Sequence, residues 1–258
     1  MARVGKTVTY TALPGVPLIE PGDDLAAVLI ASLNSAGIVP QNQDVFVVAQ
    51  KVVSKAEGRY RDLRDVSPAP RAIELAEAVG KDPRLVEVIL SESEQVVRYG
   101  HGVLIVAHRL GFVMANAGVD QSNIRHPEDG ERVLLLPENP DASCAALKER
   151  IDECFGVNVA VLINDSFGRP WRNGVVGVAL GAAGLPSLVS LVGTPDLFGR
   201  PLRITEVAIA DEIASAASLL MGQAAAGQPF VHARGLMWDA PACNVSALVR
   251  AKERDLFR

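Results

Sequence analysis

The sequence has no excess of positive charge. Its 25 Lys and Arg residues stand against 30 Asp and Glu, for a net charge of −5. A nucleic-acid partner would call for a basic footprint, so none is expected. Cysteine is scarce: Cys144, Cys154 and Cys243 show no metal-like spacing, and an odd count suits a reduced compartment. The four histidines do not cluster, which argues against zinc. The phosphate-loop pattern G-x-x-x-x-G-K-[ST] is absent, and so is G-x-G-x-x-G. The opening MARVGKTVTYTALPG lacks the apolar core of a signal peptide, so the expectation is a cytoplasmic chain. The Asn-Asp-Ser at Asn164 is then an unused glycosylation acceptor. The uncharged run Val175–Val192 raises a membrane question, but Gly177, Gly181, Gly184 and Pro186 interrupt it. It reads as a buried helix and turn, with no membrane partner. There is no internal repeat, low-complexity tract or obvious linker.

What is present is a chain of 258 residues, 49% hydrophobic and 21% charged, long enough to bury a sizeable core. Residues 44–54, DVFVVAQKVVS, read as a buried strand. Residues 23–37 read as a helix with acids at its start and Gly37 past its end. Residues 67–80 read as a second helix stopped at Gly80, and 83–97 as a third. Residues 102–118 suggest two strands around His108–Gly111, a hairpin. Residues 139–156 read as a helix capped near Asp141 or Ser143 and stopped by Gly156. Residues 158–165 follow as a strand, and 202–222 as a strand turning into a helix at Asp211. Helices and strands alternate without the rhythm of a doubly wound sheet, which points to a mixed α+β fold with one core.

Two apolar runs lead into an acid. GFVMANAGVDQSN carries Asp120, and VLINDSFGRPWRNG carries Asp165. Both acids are expected at strand ends, where open α/β sheets bind ligands. Gln121, Ser122 and Asn123 stand beside one, Asn164 and Ser166 beside the other. Such carboxylate, hydroxyl and amide oxygens suit Mg²⁺ or Mn²⁺. Each Asp could equally cap a helix or close a turn. Lys51, Lys55 and Arg59 recur every four residues and could meet phosphates or form a solvated edge. Arg169 and Arg172 in GRPWR offer forked donors for carboxylate or phosphate. MGQAAAGQP, from Met221, is a small-residue loop after a helix. The residues alone fit phosphate transfer with a divalent metal and identify no substrate.

Eight segments in order carry a resemblance: GVPLI (15–19), SKAEGR (54–59), ESEQV (92–96), NAGVDQSN (116–123), LLLPENPDASC (134–144), NDSFGRPWRNGVVGVA (164–179), DLFGRPL (196–202) and ADEIASAASLLMG (210–222). Together they resemble the coenzyme F-420:L-glutamate ligase family, γ-glutamyl ligases that complete a deazaflavin coenzyme. The resemblance implies a GTP-dependent reaction. A carboxylate of the deazaflavin precursor is phosphorylated, the amine of L-glutamate attacks the acyl phosphate, and further rounds add γ-linked glutamates. It implies Mn²⁺ or Mg²⁺, K⁺ as an activator, and an intertwined homodimer of mixed α/β subunits with mixed sheets. It also implies a single domain over 1–258, without the C-terminal flavin-reductase-like domain of some bacterial relatives.

Carried over by position, the metal ligands fall on Asp120, Asp165, Ser166 and Gln223. Ser166 keeps the hydroxyl where some relatives have Thr, and Gln223 is neutral where some have Glu. The nucleotide falls to Val16, Pro17, Leu18 and Ile19, to Gln50, Lys51, Lys55 and Asn123, and to a loop. That loop comprises Met221, Gly222, Gln223, Ala224, Ala225, Ala226, Gly227 and Gln228. Asp120, Asp165 and Lys55 are the catalytic candidates, and Arg169 and Arg172 the candidates for substrate carboxylates. Two other readings of the same residues are a metal-dependent nucleotide phosphohydrolase and a non-catalytic nucleotide-binding module.

Overall fold

A computed structural model describes residues 6–128 and 130–256. Residues 1–5, part of the stretch read above for a signal peptide, and the chain's end at Arg258 lie outside the described residues. At the centre is a five-stranded mixed sheet in the order β1-β12-β2-β8-β9. Its strands are β1 (Thr9–Ala12), β2 (Val45–Ala49), β8 (Ala160–Arg169), β9 (Arg172–Ala183) and β12 (Phe230–Arg234). β2 and β8 run parallel, and the other neighbours pair antiparallel.

β2 is apolar throughout because both its faces are covered. Phe46 and Val48 pack with Leu29, Leu33 and Ile151 from helices α1 (Leu25–Ala36) and α5 (Pro140–Phe155). Val45 and Val47 face Ala210, Ile213 and Ala217 of α6 (Ile209–Met221). Helix α1 starts where Asp24 accepts a hydrogen bond from the Ala27 amide and ends at Gly37 in the left-handed region.

A second region holds the three-stranded sheet β4-β5-β6 (Ser93–Gly100, Val103–His108, Val113–Ala115). Helices α3 (Pro70–Val79) and α4 (Pro83–Ser91) pack on it through Leu75, Val79, Val86, Ile89, Leu104 and Val106. Between the regions, β3 (Tyr60–Asp62) pairs with β7 (Arg132–Leu134). The mixed α+β class follows.

Several boundaries differ from the sequence reading. The strand expected over 44–54 ends at Ala49, and Gln50–Ala56 form helix α2. The helix expected over 83–97 ends at Ser91, because Ser93–Gly100 pair across a hairpin with Val103–His108. Long-range pairing overrides local helical spacing there. Helix α5 is capped by Asn139, whose side chain accepts from the Ala142 amide, not by Asp141 or Ser143. Asp141 instead accepts from the Ala182 amide of β9, and Asp211 from Ala179. The two helices thereby satisfy backbone donors of β9, the outermost strand of the sheet.

The run Val175–Val192 is not a helix; its first half lies in β9. Its glycines explain the choice. A Cβ at Gly177 would stand 2.3 Å from the Ala214 carbonyl oxygen of α6, and one at Gly181 would stand 2.4 Å from the Pro140 carbonyl carbon of α5. The backbone of β9 must approach both helices, and only glycine permits it. Within 202–222, only Glu206–Val207 are strand (β11), pairing with Val189–Ser190 (β10). Among the described residues, no helix is long and apolar enough to cross a membrane.

Candidate active site

β8 runs on to Arg169 and turns through Pro170 and Trp171 into β9, so Asp165 sits within a strand rather than at its end. It does stand at the end of the parallel pairing: Ala49, the last residue of β2, is opposite Asn164. That is the carboxyl edge of the parallel pair, where α/β sheets place ligands. Asp120 also lies beyond its strand. After β6, Asn116, Ala117 and Gly118 all adopt left-handed backbone (φ 51°, 53° and 66°). Such a run is costly for Asn and Ala and persists where the surroundings impose it. Here Ala117 is buried, and the Asn116 side chain accepts from the Leu104 amide at 3.1 Å. Asp120 then exchanges both backbone hydrogen bonds with Leu134 (3.0 and 2.8 Å), which fixes its position.

These elements surround one cleft of about 1480 Å³. Lys51 of α2 donates to Asp120 Oδ2 at 2.6 Å, and to the Ser122 carbonyl and hydroxyl at 2.9 and 2.8 Å. Ser122 gives Asp120 its backbone N–H at 2.7 Å and its hydroxyl at 3.0 Å. Lys55, one turn on, donates to the Asn123 carbonyl at 2.7 Å. Asn123, itself left-handed (φ 54°), donates from its side chain to the Ala224 carbonyl at 3.1 Å. That bond ties the Asp120 loop to the small-residue loop. Ser166 donates from its hydroxyl to Gln223 Oε1 at 2.7 Å, and Gln223 Nε2 donates to the Ser218 hydroxyl at 3.1 Å.

The two carboxylates are treated differently. Burial pushes Asp120 upward, but the Lys51 ammonium and the Ser122 donors outweigh it and hold its pKa below the usual value. Asp165 receives only the Ser166 amide at 2.7 Å. Burial, with the Asp120 charge adding to it, raises its pKa to about 6. Burial and the neighbouring Lys51 charge depress the pKa of Lys55. Asn164 Oδ1 is buried and has no hydrogen-bond partner among the described residues.

Among the described residues there is no cluster of three or more His, Cys, Asp and Glu able to hold a metal. What the cleft gathers is two carboxylates, a hydroxyl and an amide oxygen. This all-oxygen set, with one carboxylate uncompensated, fits a hard divalent cation such as Mg²⁺ or Mn²⁺.

Nearly all the residues singled out from the sequence converge here. Val16, Pro17, Leu18, Ile19, Gln50, Arg169 and the loop from Met221 to Gln228 line the cleft; Ala226 does not. Arg59 turns away, its guanidinium meeting Glu92 at 3.1 Å and the Leu136 carbonyl at 2.9 Å. Arg172 is exposed and outside the lining. The sequence reading missed Arg98, Arg125 and Trp171 as lining residues. Arg98 lies on β4, whose first five residues, 93–97, fall in the helix expected over 83–97. A strand reading of SEQVVRYG would have marked it.

A family profile described as F420-0:Gamma-glutamyl ligase matches residues 15–235. The chain is 44% identical over 253 residues to the Coenzyme F420:L-glutamate ligase of Methanothermobacter thermautotrophicus, covering 97% of this chain and 99% of that one. It is 47% identical to the protein of the same name from Methanopyrus kandleri, over 94% of this chain and 96% of that one. For the Archaeoglobus fulgidus protein of that name the identity is 41%, over 95% and 94%.

Proposed function

The chain belongs to the F420-0:gamma-glutamyl ligase family, and we propose that it joins L-glutamate to the deazaflavin precursor F420-0 at the expense of GTP, then adds further γ-linked glutamates. The observation that carries this reading is the convergence of Lys51, Lys55, Asp120, Asp165, Ser166 and Gln223 on one cleft. A carboxylate does not react with an amine in water. In the proposed sequence its oxygen attacks the γ-phosphorus of GTP and GDP leaves. The glutamate amine then attacks the acyl carbon, expels phosphate and gives up a proton. Lys51 and Lys55, on one face of α2, face the phosphates and offset their charge. The Ser122 donors and the Leu134 backbone pairing hold Asp120 rigid beside them. Mn²⁺ or Mg²⁺, held by Asp120, Asp165, Ser166 and Gln223, supplies Lewis-acid neutralisation of phosphate charge. K⁺ as an activator belongs to the same reading, as does a cytoplasmic location. Arg169 has a buried Nη1 without a hydrogen-bond partner among the described residues, which suits it to a substrate carboxylate.

A homodimer is part of the proposal, and an exposed apolar arm supports it. Most of the Val175–Val192 run is covered by α5 and α6 of its own chain. The apolar surface lies instead on the hairpin between β10 and β11. There Leu197, Phe198 and Ile204 are 88, 90 and 88% exposed, so the arm is suited to a second copy. Leu197→Asp with Phe198→Asp is expected to leave a monomer by light scattering.

The test of function is incubation with F420-0, glutamate, GTP and Mn²⁺, followed by mass spectrometry. Products heavier by whole glutamyl units support the ligase. Phosphate release independent of glutamate would instead make it a phosphohydrolase, and nucleotide binding without turnover a binding module. Equal turnover with ATP would remove the GTP preference.

A further inference from the structure

Of the two acids in the ESEQV segment, Glu94 is exposed and Glu92 is buried. Glu92 closes α4, directly before β4. Arg59 Nη2 and Arg109 Nε each donate to its Oε2 at 3.1 Å, and His108 Nε2 stands 3.6 Å from the same oxygen. His108 Nδ1 accepts from the Leu110 amide at 3.0 Å, which leaves the ring proton on Nε2, toward Glu92. Burial pushes the Glu92 carboxyl up, but His108, Arg109 and Arg59 together hold it down at about 2.

The cluster stands outside the cleft: Arg59, Glu92, His108 and Arg109 are absent from its lining. Yet Arg59 grips the segment on which the cleft is built. Its Nε donates to the Leu136 carbonyl at 2.9 Å, and its own carbonyl accepts from the Leu135 amide at 3.0 Å. Leu134, next in that segment, exchanges both backbone hydrogen bonds with Asp120. On its other side the Arg59 amide donates to the Ser54 carbonyl of α2 at 2.9 Å, and Lys51 of that helix pairs with Asp120 at 2.6 Å. Arg109 meets Glu92 at the same distance but reaches beyond it only to the Glu138 carbonyl, at 3.4 Å.

We propose that Glu92 is a positioning residue: by orienting the Arg59 guanidinium it fixes residues 134–136, and through them sets Asp120 against Lys51. A guanidinium that donates from Nε and Nη2 holds its two acceptors in one plane, a constraint a single ammonium does not impose. On the ligase reading, on which the catalytic consequence rests, Glu92 never meets substrate and acts only through these contacts.

Hydrogen–deuterium exchange reads the relay without any substrate, in Glu92→Gln, Arg59→Lys and Arg109→Lys. Arg59→Lys keeps a cation beside Glu92 and loses the second arm of the fork. Arg109→Lys makes the same change on the same carboxylate, away from residues 134–136. Exchange at the Asp120 and Leu134 amides is expected to speed about tenfold in Glu92→Gln and Arg59→Lys, and about twofold or less in Arg109→Lys. In the first two variants the KM for GTP should rise about fivefold or more, while that for glutamate changes less than about twofold. A merely structural loss lowers the folded fraction and the rate, and moves neither KM. If Glu92→Gln fails to fold, Arg59→Lys carries the test. Unchanged exchange at Asp120 in Arg59→Lys, equal acceleration in Arg109→Lys, or faster exchange with both KM values unchanged overturns the positioning role and leaves the ligase reading intact. Wild type that does not ligate glutamate overturns the ligase reading and the catalytic role with it.

Discussion

Asp44 and Asp165 lie at opposite ends of the central sheet. Asp44 precedes the first residue of β2; Asp165 follows the last β2–β8 pair. Asp44 is 2% exposed and crowded with donors. Arg234 forks onto both its oxygens at 2.9 and 2.6 Å, the Gln41 amide donates at 2.9 Å, and His232 Nε2 lies 2.9 Å away. Burial alone would raise its pKa, but these partners hold it far below the usual range. Asp165 has one backbone donor and a raised pKa. The same residue type on the same sheet is thus a closed ion pair at one end and an open charge at the other. A buried carboxylate with its partners complete contributes to the fold. One left incomplete beside a second carboxylate and a hydroxyl fits the proposed cation site.

The comparison breaks most sharply under substitution. Asp165→Asn keeps the shape and removes the charge, so ligation is expected to fall about a hundredfold or more, which is ~2.7 kcal/mol or more of transition-state stabilisation. Without metal, its melting temperature should stay level or rise, because an uncompensated, partly buried charge has gone. A near-normal rate with a lowered melting temperature would make Asp165 a structural residue. Asp44→Asn should do the reverse. It leaves Arg234 and His232 facing a neutral amide and should cost about 2 kcal/mol of stability, a figure reduced because the Arg234 side chain is one-third exposed. Its turnover well below the melting temperature should match wild type. Lost turnover in a folded Asp44→Asn protein would collapse the distinction.

A smaller effect sharpens it. The folded-state pKa of Asp44 lies below its unfolded value of about 4. Its stabilisation is therefore complete above about pH 5 and is lost as the pH falls through 4 and below. Melting temperatures measured from pH 6 to pH 3 should drop more steeply for wild type than for Asp44→Asn. Parallel curves would mean that Asp44 is not the acid-sensitive group.

How much of this was legible beforehand depended on whether the deciding contacts were local. Helices α1, α3 and α5 announce themselves by a capping side chain or Pro at one end and Gly37, Gly80 or Gly156 at the other. The hairpin around His108–Gly111 was equally readable. What failed was what distant residues decide. Ser93–Gly100 become a strand because Val103–His108 lie opposite, and β9 is extended because its glycines admit α5 and α6. At the site, the two apolar runs ending in acids identified Asp120 and Asp165, and the four-residue spacing paired Lys51 with Lys55. Arg59 shared that spacing but is drawn off by Glu92 from another segment. Trp171 was passed over because nothing in GRPWR reports that the hairpin turn brings it to the cleft lining.

The most direct measurement is Mn²⁺ titration in the presence of GDP, followed by electron paramagnetic resonance, on wild type, Asp165→Asn and Asp44→Asn. The expected result is saturable binding by wild type, affinity weakened about tenfold or more in Asp165→Asn, and wild-type binding in Asp44→Asn. Undiminished Mn²⁺ binding by Asp165→Asn would contradict the assignment of the open carboxylate to a metal.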